Sequence, residues 1–166
     1  MKTFLRSLKL FGVASALIIS QKSNAQLVSN EIFLQGDYVE VGMAENGAFG
    51  TEGAAPTGYH PRSPTGSQLG FISDPGKDGW AVGAPNSVGD YFLPGSPQEG
   101  WDIQVGNIWA KAWRGPGGTS LTGGLTGANT DYSVVGTEVR GTWEGLLGDL
   151  AIKSVTKIKK DKLYFV

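Results

Sequence analysis

Two carboxylates four positions apart, Asp74 and Asp78, stand in the run Asp-Pro-Gly-Lys-Asp-Gly, which leads directly into Trp80. Oxygen donors at the first and fifth positions and a glycine, Gly79, at the sixth make the front half of a calcium loop. A hard cation needs several oxygens, and the chain must turn sharply to bring them around it. The pattern stops there, because the third position is Gly76 and the twelfth is Pro85 where a bidentate glutamate would stand. This is not an EF-hand. A looser calcium site built from Asp74, Asp78 and Asp90 is the metal reading, with calcium as the implied cofactor. The competing reading is a type I turn capped by aspartate.

The same stretch belongs to a recurring arrangement of acid, glycine and aromatic. Asp78-Gly79-Trp80 is echoed by Glu99-Gly100-Trp101, with Gly89-Asp90-Tyr91 between them and Gly36-Asp37-Tyr38 earlier in the chain. Carboxylates beside aromatic faces hold sugar rings or cations, which nominates Trp80, Tyr91 and Trp101 as ligand contacts. The structural alternative carries more weight. Asp-Gly and Glu-Gly open tight turns, and the aromatic that follows enters a strand as a core residue. Two copies at this spacing do not establish a repeat architecture.

Catalytic machinery is not assigned to any residue. His60 is the only histidine, the chain holds no cysteine, and no G-x-S-x-G elbow is present. One histidine would leave carboxylates to supply most of a zinc site, which disfavours zinc. Gly115-Pro-Gly117-Gly118 lacks the Lys-Ser/Thr that completes a phosphate-cradling loop. A glycosidic bond needs only two carboxyl groups, but the 15 Asp and Glu residues offer no spacing rule that singles out a pair.

The elements that must position these residues read as strands. No segment beyond the N-terminal stretch keeps a 3.6-residue apolar period free of Gly or Pro, whereas short β-prone runs bounded by turn residues recur. They fall at 31–34, 37–43, 69–72, 101–105, 108–113, 132–135, 137–143, 150–158 and 163–166. Residues 51–68, with three prolines and three glycines, read as a long surface loop, and residues 115–127, with six glycines, as another. The expected fold is all-β, an antiparallel β-sandwich-like domain with long Gly/Pro-rich loops. The terminal run Leu-Tyr-Phe-Val is an apolar edge that natural domains avoid leaving free, so the expectation is that the chain is the beginning of a longer protein.

Residues 1–25 read as a cleaved signal peptide: Lys2, Arg6 and Lys9 precede an uncharged apolar run at 10–20, and Ser23-Asn24-Ala25 offers small residues for cleavage before Gln26. That run is too short to span a bilayer as a helix, so the expected product is secreted or at the cell surface, without membrane insertion after cleavage. Residues 26–166 then form one secreted domain, without disulfides, whose stability must come from packing. Residues 26–149 carry five basic and fourteen acidic side chains, a net of −9, while residues 150–166 carry five lysines and one aspartate, a net of +4. An acidic body disfavours nucleic acid, which binds through neutralised phosphates. Lys153, Lys157, Lys159, Lys160 and Lys162 are expected on the wet side of a strand pair rather than in a polyanion site.

Three runs together carry a resemblance. They are Gly36-Asp-Tyr-Val-Glu-Val-Gly42 through Gly47-Ala-Phe-Gly50 and Gly58-Tyr-His-Pro61; Leu69-Gly-Phe-Ile-Ser-Asp-Pro75 with Lys77-Asp-Gly-Trp80; and Gly89-Asp-Tyr-Phe-Leu-Pro-Gly95 with Glu99-Gly-Trp101. Over residues 32–166 the chain resembles the N-terminal region of large secreted bacterial surface proteins of the gliding-associated or adhesin type. The resemblance implies secretion, a β-rich fold and further domains downstream, and it brings no catalytic residues. The expected function is a non-enzymatic extracellular β-domain that binds glycans or other surface polymers and is stabilised by calcium. The alternative is a carbohydrate-active β-sandwich enzyme with a glycosidase-like carboxylate pair, or its carbohydrate-binding module.

Overall fold

The computed structural model describes residues 25–62, 66–80, 88–91, 99–114, 120–122, 125–164 and 166, with backbone alone at 88–91, 99, 114 and 120–122. Of the expected signal peptide only Ala25 is among the described residues. Eleven strands and no helix are found there: β1 (Ala25–Val28), β2 (Glu31–Gln35), β3 (Val39–Met43), β4 (Phe71–Ser73), β5 (Val88–Tyr91), β6 (Glu99–Val105), β7 (Ile108–Arg114), β8 (Ser120–Thr122), β9 (Thr126–Val135), β10 (Glu138–Leu147) and β11 (Leu150–Lys159). They make three sheets, ordered β1-β2-β3-β4-β5, β6-β7-β8 and β11-β10-β9, and the strand pairs are antiparallel. The fold is all-β and sandwich-like, built as three successive meanders.

Turn chemistry explains why neighbouring strands pair in sequence order. Ser29 and Asn30 take φ of 50° and 63° between β1 and β2, and Gly106, Gly136 and Gly148 take φ near 60° between later strands. Positive φ in a two-residue connection gives the twist that matches right-handed strands, so each turn directs a hairpin. One expected loop, 115–127, contains β8 and the start of β9, because pairing to β7 and β10 organises residues whose glycine content alone suggests coil.

Trp143 on β10 sits where the sheets meet, 1% exposed. Its ring receives Trp101 of β6 edge-on, with centroids 5.3 Å apart at 74°. Gly47 lies against the other part of the ring: a Cβ there would come within 2.8 Å of it, and φ is +82°. The short turn after β3 fastens all three sheets. Trp143 Nε1 donates to the Glu45 carbonyl (3.0 Å), Trp101 Nε1 to that of Gly47 (3.2 Å), and Asn46 Nδ2 to that of Trp113 (3.1 Å). Asn129 Nδ2 of β9 donates to the Ala44 carbonyl at 3.0 Å. Burying a ring the size of Trp143 stabilises the fold by on the order of 4 kcal/mol.

Strands β2 and β3 are buried on both faces. Ile32, Leu34, Val39, Val41 and Met43 belong to the main core, while Phe33 joins Tyr59, Leu69 and Ile72 in a second one. The second core exists because residues 51–62 and 66–68, from the stretch 51–68 expected as a surface loop, lie as a strap across the first sheet. Polar side chains on that face hold the strap's backbone. Glu31 accepts from the amides of Glu52 and Gly53, Gln35 Nε2 donates to the Gly58 carbonyl (2.8 Å), and Glu40 Oε2 accepts from the His60 amide (2.7 Å).

On β11 the lysines take the expected outer positions. Lys153 Nζ reaches Glu144 at 2.7 Å, and Lys159 Nζ reaches Glu138 at 2.7 Å. Hydrogen bonds from Lys159 and then Arg140 bring the Glu138 carboxyl down to about 2. Past β11, Val166 exchanges two backbone hydrogen bonds with Lys157 (2.5 and 2.9 Å), so the terminal residue returns alongside that edge.

Candidate functional site

Of the residues nominated from the sequence, Asp74, Asp78, Trp80 and Trp101 have described side chains. Asp74 is fully enclosed, and its Oδ2 accepts from the Gly79 amide at 2.7 Å, so it caps its own turn. Its Oδ1 has no hydrogen-bond partner among the described residues. Asp78 is exposed. Among the described residues, no three carboxylates or histidines gather in a way that would hold a metal ion. Asp90 and Tyr91 lie on β5, where Tyr91 pairs with Phe71, and their side chains are outside the described residues. Trp101 turns inward against Trp143, as the core reading of the Glu-Gly-Trp motif expects.

Trp80 is half-buried and stacks on His60, with centroids 5.1 Å apart and planes within 10°. His60 is itself held by Glu40, a side chain with no exposure near the start of β3. His60 Nδ1 lies 2.7 Å from Glu40 Oε1, which also accepts from Gln35 Nε2 at 2.6 Å. A carboxylate behind an imidazole is the orienting arrangement of a general base. Yet His60 makes no hydrogen bond to a hydroxyl among the described residues, and both Glu40 oxygens serve to anchor the strap. The cluster is accounted for as a clip.

A set of side chains available to a ligand stands elsewhere, on the outer face of the β6–β8 sheet. Residues two apart on a strand share a face, so Trp109, Lys111 and Trp113 of β7 stand in one row, while Ala110 and Ala112 point into the core. Register places Gln104, Asp102 and Gly100 of β6 opposite that row. Trp109 is 60% exposed. The Trp113 ring leans across β6 over Gly100, where a Cβ would meet its Cδ1 at 2.4 Å, and its Nε1 donates to Asp102 Oδ1 at 2.7 Å. The Lys111 ammonium lies 4.8 Å from the Trp113 ring centroid and 5.9 Å from that of Trp109. Two aromatic rings, four residues apart on the strand and both drawn toward the same ammonium, thus flank a cation and face an amide and a carboxylate.

None of these outer residues is among the candidates nominated from the sequence, where residues 108–113 read as a strand with neither face assigned. The signal was present: Trp-Ala-Lys-Ala-Trp alternates large and small side chains, and alanine on one face is what close packing against another sheet requires.

No family model, curated protein or solved structure matches this chain.

Proposed function

We propose that this protein is a non-enzymatic extracellular β-domain of surface or adhesin type, and that it binds glycans on the outer face of the β6–β8 sheet. One observation carries the reading: Trp109 and Trp113 stand in a row on the outer face, one tethered by Asp102, with hydrogen-bonding side chains between and beside them. Flat indole faces pack on the C–H faces of sugar rings, and amide, carboxylate and ammonium groups serve the hydroxyls at their rims. The row is long enough for more than one ring of an extended chain. The apparent N-terminal signal and the resemblance to secreted surface proteins support an extracellular setting.

The test is electrophoresis of the full chain through native gels containing polysaccharides. Retardation is expected, and Trp109→Ala or Trp113→Ala should each weaken it about tenfold while the melting transition stays in place. An unretarded protein, or a double variant as retarded as the parent, overturns the proposal.

A further inference from the structure

We infer that the glycan held on this face is acidic, with an anionic group on a sugar ring, and that Lys111 is the residue that selects it; this rests on the reading of the face given above. Lys111 lies on the central strand of its sheet, between two indoles, and forms no ion pair among the described residues. The carboxylate directly opposite in register, Asp102, gives an oxygen to Trp113 Nε1 instead. A cation between aromatic faces keeps its attraction to the rings and still has N–H donors to offer, because an ammonium carries three. A sugar ring stacked on Trp109 or Trp113 would bring a carboxylate or sulfate at its rim to that ammonium. The resulting charge-assisted hydrogen bond is stronger than any a neutral hydroxyl makes there.

The charge of the domain sharpens the inference. Residues 26–149 carry a net of −9, so the body repels polyanions in general and supplies no diffuse attraction for them. A preference for an acidic glycan therefore has to come from a local contact, and Lys111 is the described cation in the aromatic row.

The experiment compares the full chain in gels holding a polyuronate, a sulfated polysaccharide and a neutral polysaccharide. Tighter binding to either acidic polymer is expected, and which of the two is preferred identifies the anionic group. Lys111→Met should lower affinity for that polymer about tenfold and affinity for the neutral polymer by much less, so that the preference disappears, and Lys111→Arg should restore it. Melting curves confirm that both variants fold. Equal affinity for acidic and neutral polymers, or a Lys111→Met variant that keeps the preference, overturns the inference and leaves the glycan face standing. Loss of all binding in the parent protein, or binding indifferent to Trp109→Ala and Trp113→Ala, removes both.

Discussion

Tyr59 shows how much a single side chain of the strap does. Its hydroxyl donates to the Phe33 carbonyl at 2.7 Å, and its ring meets Phe33 edge-on. Burial, and then the charge of Glu40, push its phenol well above the ordinary value of 10.0. The folded state therefore keeps a proton that the unfolded chain gives up. This contribution is complete below that ordinary value and is lost as the pH rises above it. Stability measured by urea unfolding should fall from about pH 10 upward. Tyr59→Phe should flatten that alkaline limb while costing about 1 kcal/mol at neutral pH for the lost hydrogen bond. Equal alkaline slopes in parent and variant would refute the assignment. The histidine beside it was visible in the sequence as a lone titratable group. Its partner, Glu40, was not, because 20 residues and a chain reversal separate them.

Strands and strap obey different rules, and their legibility differs for that reason. The β7 face is local: alternation at period two can be read from five consecutive residues. The strap is not local, since residues 51–62 lack strand periodicity and are held by polar side chains that β2 and β3 present to them and by backbone bonds such as that from the Thr51 amide to the Leu69 carbonyl. Glu40 is central to that. Removing it takes away one of the two acceptors of Gln35 Nε2 and the acceptor of the His60 amide. Glu40→Ala should cost about 3 kcal/mol in urea unfolding, and Glu40→Gln, which keeps an acceptor, clearly less. A cost below about 1 kcal/mol for the alanine variant would show that the strap holds without this anchor.

At the scale of the whole molecule, the turn after β3 ties three meanders to Trp143, so the domain should unfold as one unit. Asp74 is enclosed and its Oδ2 accepts from the Gly79 amide, so the Asp74–Asp78 turn closes through its own hydrogen bond. We expect one cooperative thermal transition, unmoved by excess calcium or by chelator. A calcium-dependent rise would return the cation reading to that turn, because metal held only by the folded state stabilises it by mass action. Composition, turn residues and period-two runs determined the all-β class, most strand positions and the outer placing of the β11 lysines, since each depends on neighbours within a few residues. The sequence alone could not decide whether an aromatic faces a ligand or the core. Trp101 and Trp109 lie on adjacent strands of one hairpin, yet Trp101 packs on Trp143 and Trp109 stands exposed. The difference arises because sheet packing assigns one face of that hairpin to the interior, and the partner surface comes from residues 44–48 and β10, distant in the chain.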